Sequence, residues 1–175
     1  MSAVTYRDAA PPDADAVADL FVRSFVDTFG HLYPPHDLAD FLATITADRF
    51  RQDIADPRFT FHLALADKQL AGYVKIGPPE LPVETPPDTI ELCQLYLLKE
   101  WHGTGIAAAL MEWAMAEASA KGARYIQLSV YVDNHRARRF YERYGFAPVG
   151  RYDFMVGSHA DEDIVLRHLV LQADR

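Results

Sequence analysis

With a single cysteine, the chain cannot form an intramolecular disulfide. Cys93 lies in an apolar, strand-like run, where a small buried hydrophobe is its expected role. Basic residues are also scarce, 17 Lys and Arg against 25 Asp and Glu, for a net charge of −8. That balance excludes general nucleic-acid binding, which needs basic surface to neutralise phosphates, and it is compatible with cationic acceptors such as amines. No apolar run approaches the roughly 20 residues of a membrane span. The start of the chain lacks a basic segment followed by an apolar stretch, so no signal peptide is expected; a reducing cytoplasm suits the single cysteine. His31, His36, His62, His135, His159 and His168 show no metal-ligand spacing and have no cysteine partners, so no metal is expected. Internal repeats and long linkers are absent too.

What is present fits one α/β domain over residues 4–171. The 175 residues are half apolar and a quarter charged, enough to bury a real core. Val4–Arg7 alternates weakly as a first strand. Helical spacing follows over Asp13–Phe29, with Asp13 as the expected cap, and again over Asp37–Phe50. Phe59–Ala66 and Gln69–Ile76 read as a hairpin turning at Asp67-Lys68. Gly77–Asp88 holds five prolines and is a loop, because proline cannot serve a central strand. Thr89–Leu98 is a strongly apolar strand, Thr104–Lys121 a helix stopped by Gly122, and Ala123–Val132 a half-buried strand. A short helix capped by Asp133 or Asn134 runs to Tyr144 and stops at Gly145. Ala147–Val156 and Ile164–Leu171 complete the chain as strands around a loop, Gly157–Asp163. The order is β-α-α-β-β-β-α-β-α-β-β, one mixed sheet with helices against it.

The most informative segment is the passage from Leu95-Tyr96-Leu97 through His102, Gly103, Thr104 and Gly105 into Ile106, Ala107 and Ala108. A glycine turn of this kind leaves the first N–H groups of a helix unpaired, with the positive end of the helix dipole behind them. Phosphate or pyrophosphate suits such a place. No acidic residue occurs from Gly103 to Met111, although acids normally favour a first turn. A P-loop is excluded, since no lysine follows the glycines. Gly103-x-Gly105-x-x-Ala108 matches a dinucleotide fingerprint formally, but the alternating strand–helix units and the downstream acid of that fold are missing.

His102-x-x-Gly105-x-Ala107, preceded by Leu95-Tyr96-Leu97, resembles the signature of the Gcn5-related N-acetyltransferase superfamily. Asn134, Phe140-Tyr141 and Gly145-Phe146 are similar to its second signature, and the element order matches from Val4 to Leu169. The resemblance implies a GNAT-like fold with a bulged central strand splayed from its neighbour, and acetyl-CoA as cosubstrate. It implies that the pyrophosphate sits on the amides of Gly103–Ala108 and that the pantetheine arm pairs with Leu95–Leu97. His102 departs from the family's Arg or Gln, reducing the positive charge or amide donor there.

The same resemblance assigns Tyr141 as the acid beside the CoA sulfur, a residue that its helical spacing with Ala137, Phe140 and Tyr144 would otherwise place in the core. Asn134 is implied to contact pantetheine, alongside its local role as a cap. Arg136, Arg138, Arg139 and Arg143 cluster on this helix, with Arg143 the one selected to meet a CoA phosphate. Glu91, six residues before Leu97, is the expected base, directly or through water. Direct transfer is the family rule, so Cys93 is not expected to be acetylated.

The acceptor is expected to lie against Phe25–Phe41, with Phe29, His31, Tyr33 and Asp37, and against the loop carrying Asp161, Glu162 and Asp163. Asp27-Thr28-Phe29-Gly30, followed by Pro34-Pro35, is similar to bacterial polyamine-acetylating members, and an acidic aromatic pocket suits a cationic small amine. A protein or peptide acetyltransferase and a non-catalytic acyl-CoA sensor stay open as alternatives, as does a homodimer.

Overall fold

The computed structural model describes residues 3–170. The last residue of the expected final strand, Leu171, lies outside them. Seven strands form one sheet in the order β1-β2-β3-β4-β5-β7-β6, where β1 is Val4–Asp8, β2 Thr60–Ala66, β3 Gln69–Gly77, β4 Thr89–Leu97, β5 Tyr125–Tyr131, β6 Ala147–Val156 and β7 His159–Leu169. All neighbours are antiparallel except β4 and β5.

Period-two side-chain alternation divides the core between the two faces of the sheet. On one face α4 (Ile106–Ala120) and α5 (His135–Arg143) cover Ile126, Leu128, Val130, Ile164 and Leu166. On the other, α1 (Ala14–Phe29), α2 (Pro35–Ala43) and α3 (Ala47–Ala55) bring Val17, Leu20, Phe21, Phe25 and Phe50 against Phe61, Leu63 and Tyr73. Membrane-crossing length and apolarity are not found in any described helix.

Local chemistry explains most boundaries. Asp67 and Lys68 both take positive φ, 49° and 67°, the geometry of a tight two-residue hairpin. Gly122 (φ 80°) and Gly145 (φ 89°) follow the ends of α4 and α5, where a left-handed residue closes a helix. Asn134 caps α5 by accepting the Ala137 N–H at 3.3 Å.

Three expectations are corrected. The helix expected over Asp37–Phe50 is two helices. Thr44 turns its hydroxyl back to the Phe41 carbonyl at 2.7 Å, and Thr46 accepts the Arg49 N–H at 3.2 Å, so one threonine closes α2 and the other opens α3. Asp13 does not cap α1 with its side chain; it takes the Ala10 N–H at 2.8 Å and pairs with Arg7. The loop expected over Gly157–Asp163 is a two-residue turn, and β7 begins at His159. Gly157 adopts φ 59°, while buried Asp37 accepts the Ser158 N–H at 3.0 Å, pinning the hairpin tip to α2.

Candidate active site

Strands β4 and β5 pair only over Thr89–Tyr125, Ile90–Ile126 and Glu91–Gln127. Beyond that point, among the described residues, Leu92–Leu97 has no strand on its β5 side. Opposite β3, the register jumps between Lys75–Gln94 and Ile76–Leu92, which makes Cys93 the extra residue of a bulge. The bulge bends β4 at the place where it leaves β5, so the sheet forks. A continuous cleft of about 970 Å³ fills the fork, bounded by β4, β5, the glycine turn, α5 and the aromatic end of α1.

At one end of the cleft lies the turn. Gly103 and Gly105 have φ of 74° and 89°, and a Cβ on either would meet nothing within 4 Å, so backbone conformation alone demands glycine. The Ala109 N–H bonds the Gly105 carbonyl; among the described residues the N–H groups of Gly103, Thr104, Gly105, Ile106, Ala107 and Ala108 have no backbone or side-chain acceptor. With no acid in the first turn of α4, this is an anion cradle. Gly103, Gly105, Ala107 and Ala108 line the cleft. Thr104 and Ile106 contribute only backbone: the threonine hydroxyl bonds the Trp101 carbonyl at 2.6 Å, and the Ile106 side chain is in the core.

His102 faces Arg136, its Nδ1 lying 2.5 Å from the guanidinium. Arginine can only donate, so Nδ1 is the bare acceptor nitrogen of the ring. Burial, then the Arg136 charge, lowers the His102 pKa and keeps the ring neutral. Thus the positive charge absent from residue 102 arrives from α5. Arg136, Arg139 and Arg143 all line the cleft, while Arg138 turns away to the Val132 carbonyl at 2.8 Å. Helical periodicity was the available signal, because residues 136, 139 and 143 share a face. Asn134 lines the cleft as well as capping α5.

Tyr141 projects from α5 into the fork, packed edge-on against Phe140 and Phe146. Its hydroxyl makes no hydrogen bond among the described residues, and burial raises its pKa, so the phenol keeps its proton. Leu95, Tyr96 and Leu97 form the opposite wall. The Tyr96 hydroxyl lies near Tyr141, Asp163 and Tyr152, whose charges would each raise its pKa further. Leu97 is partly committed, its carbonyl accepting the Ser24 hydroxyl at 3.0 Å.

Past the fork the cleft opens into a chamber of aromatics and acids. Phe25, Phe29, Tyr33, Phe41 and Phe154 line it, joined by Tyr131 and Tyr152. Asp161 and Asp163 project into it from β7, while Glu162, one residue between them, points outward to Arg151. These two aspartates were expected on a loop; strand alternation is what turns both of them inward. Tyr33 donates to Asp161, and His159 Nε2 stands 3.3 Å from the same carboxylate. His31 and Asp37 do not line the cleft.

Glu91 sits at the apex of the fork, 7% exposed. One oxygen accepts the N–H groups of Glu80 and Leu81 at 2.8 and 3.1 Å, anchoring the proline-rich loop across the sheet. Burial is the dominant influence and raises its pKa. Leu81 of that loop walls this end of the cleft, and Arg167 holds the loop from below through the Glu84 carbonyl at 2.8 Å. Burial pushes the Cys93 thiol up to about 12, so it is not a thiolate nucleophile at neutral pH. Clusters of three or more metal-ligating side chains are absent among the described residues.

Residues 15–146 match the model of the acetyltransferase (GNAT) family. A Mycobacterium tuberculosis chain, described as an uncharacterized N-acetyltransferase, is 36% identical over 160 residues, covering 90% of this chain and 99% of its own. The chain belongs to the GNAT acetyltransferase family. This GNAT chain is also similar in structure to the PaiA N-acetyltransferase of Thermoplasma acidophilum, solved with coenzyme A: TM-score 0.77, 19% identity, 95% and 99% of the two chains covered. Salmonella typhimurium yncA, solved with acetyl-CoA, superposes with TM-score 0.77 at 14% identity, covering 99% and 98%. Both likenesses extend over nearly the whole of this fold.

Proposed function

We propose that this GNAT enzyme moves the acetyl group of acetyl-CoA directly to the primary amine of a small cationic molecule, a polyamine among them. One observation carries the reading: a single cleft joins an open set of backbone amides at one end to an acidic, aromatic chamber at the other, with the forked strands between. Acetyl-CoA supplies the activated acyl group as a thioester. The amides of Gly103–Ala108 fit its pyrophosphate, Arg136, Arg139 and Arg143 provide cations for its phosphates, and the edge of Leu95–Leu97 that faces away from β3 fits an extended amide arm. Asn134 stands beside that path.

Tyr141 donates its hydrogen bond to sulfur as the carbon–sulfur bond breaks, a role supported by a phenol that has no other partner. For the acceptor's proton, the family resemblance points to Glu91; with one oxygen held by the loop, it acts through a water. The anchored proline-rich loop favours a small acceptor over a polypeptide, since it walls the cleft where an open groove would otherwise run along the sheet.

The test is acetyl transfer to a panel of polyamines, amino acids, aminoglycosides and N-terminal peptides, read by mass spectrometry. A polyamine or other small-amine product supports the proposal. Acetylation of peptides alone replaces it with the protein-modifying reading. Acetyl-CoA binding with no product across the panel replaces it with an acyl-CoA sensor.

A further inference from the structure

The two carboxylates that β7 turns into the chamber differ in their surroundings. Asp161 is satisfied by Tyr33 and flanked by His159. Asp163 is only 8% exposed, and among the described residues it makes no ion pair; hydrogen bonds from the Ser129 and Tyr152 hydroxyls are its only polar support, and they do not outweigh the burial that raises its pKa. Strand register places it opposite Tyr131 on β5 and Tyr152 on β6. The hydroxyls of Ser129 and Tyr152, 3.1 Å from each other, are its polar neighbours. A buried carboxylate without a cation is expensive to keep, and a fold with no use for it would be more stable with a neutral residue there.

Its position suggests the use. Asp163 lines the cleft beside Tyr96, which in turn neighbours Tyr141, so the carboxylate looks onto the space between the proposed sulfur donor and the aromatic chamber. Glu91 is less free, since its carboxylate holds two loop amides. We infer that Asp163 docks the acceptor's reacting ammonium and takes its proton directly, in place of the water route to Glu91, whose carboxylate chiefly holds the loop. The inference rests on the acetyl-transfer reading above and makes the acceptor an alkylamine that arrives charged.

The step balances without any oxidant or reductant. An N–H bond of the ammonium breaks and its proton passes to an Asp163 oxygen. The freed lone pair forms the nitrogen–carbon bond to the thioester carbonyl carbon. The carbon–sulfur bond breaks with its electron pair on sulfur. Sulfur takes the Tyr141 proton as the tyrosine oxygen takes the surplus proton of the acylated nitrogen. Asp163 later releases its proton to solvent, leaving the N-acetyl amine, the CoA thiol and one proton.

Binding requires Asp163 ionised and the amine protonated. Burial, with Asp161 adding to it, pushes the Asp163 carboxyl up to about 6. An alkylammonium loses its proton at about 10. The expected kcat/KM for 1,4-diaminobutane therefore rises through about pH 6, holds a plateau, and falls near the amine's own pKa. The titratable groups facing Asp163 are Asp161 from its own strand, Tyr152 from β6, Tyr131 from β5, Tyr96 from β4 and Tyr33 after α1. The tyrosines that face it are shifted upward, so Asp163 governs the acid limb.

Asp163→Asn and Glu91→Gln separate them. Asp163→Asn is expected to lower kcat/KM for the diamine by about 100-fold or more, to leave acetyl-CoA affinity by calorimetry unchanged, and to abolish the acid limb. Glu91→Gln is expected to lower kcat/KM by a smaller factor than Asp163→Asn and to keep the acid limb at about pH 6. The reverse ranking, or an Asp163→Asn enzyme with wild-type kcat/KM and pH profile, overturns the assignment while acetyl transfer to amines stands. A wild-type protein that binds acetyl-CoA yet acetylates no amine overturns the transfer reading and this inference with it. Should Asp163→Asn fail to fold, Asp163→Ser supplies the same comparison with a smaller neutral side chain.

Discussion

Replacing Tyr141 by Phe removes one oxygen and nothing else, and the surroundings of that oxygen set the expected effect. The ring stays wedged against Phe140 and Phe146, at centroid distances of 5.4 and 5.9 Å. Because the hydroxyl bonds to no described residue, its loss breaks no native contact, and stability should change by less than about 1 kcal/mol. During transfer, negative charge develops on sulfur, and the phenol is the donor that meets it. Burial raises the phenol's pKa, so the hydrogen is present throughout the assay range. Losing one such donor costs about 10²- to 10³-fold in kcat, or roughly 3–4 kcal/mol of barrier. The KM for acetyl-CoA should hardly move, because the turn and the α5 arginines grip the far end of the cosubstrate. Released CoA can be followed with a thiol reagent, since the protein's own thiol at Cys93 is protonated well past neutral pH and contributes little background. A Tyr141→Phe enzyme with wild-type kcat, or one that loses only acetyl-CoA affinity, would make Tyr141 a packing residue and refute the reasoning.

Other substitutions probe other parts of the cleft. Gly105→Glu places a carboxylate on the anion cradle and a side chain at φ 89°; the strain costs about 1 kcal/mol, and acetyl-CoA binding should vanish by calorimetry while the circular dichroism of the fold persists. Gly105→Ala shares the strain without the charge, so equal affinities for the two variants would count against the cradle. Glu91→Ala strips the acceptor from the Glu80 and Leu81 amides and should cost about 1–3 kcal/mol in urea unfolding; no loss would mean the loop does not depend on this anchor. The folded Asp163 pKa is raised above the ordinary carboxylate value, so the fold favours its protonated form. Its stability penalty is absent below about pH 4 and grows until about pH 6. Asp163→Asn should accordingly melt higher than wild type at neutral pH and alike at acid pH, and a lower melting temperature at both would contradict an unpaired carboxylate. Cys93→Ala should retain kcat, whereas its loss would reopen a covalent route through the bulge.

Local signals in the chain were enough to read the turn, the glycine helix stops, the Asn134 cap and the hairpin. Gly103 and Gly105 ahead of a helix with no acid in its first turn, Asp67-Lys68 between β-rich runs, and Gly122 and Gly145 after helices each act within a few residues of themselves. Their conformations are decided by their own φ preferences and nearest neighbours, so no tertiary knowledge is needed. Two motifs at the proper separation likewise carried the family and, with it, the acyl donor. The break between α2 and α3 was missed because apolar periodicity runs straight through it, and only the two threonine hydroxyls reveal the change of direction.

The acceptor side was decided by the sheet. Register inserts β7 between β5 and β6, which sets Asp163 opposite both Tyr131 and Tyr152 although 32 residues separate the first pair in sequence. Strand alternation then faces Asp161 and Asp163 inward and Glu162 outward, a sorting that a loop assignment could not provide. Glu91 became a buried anchor only because the proline-rich loop folds back onto the start of β4. Arg136 replaced the charge missing at His102 only because α5 packs beside the turn. The sequence by itself determined the glycine turn, the helix ends closed by Gly122 and Gly145, and the family, since those depend on short-range backbone preference and motif spacing. Which acids, tyrosines and arginines share the cleft was left to the tertiary structure, because burial and the partner across a strand are properties of the packed sheet rather than of any one segment.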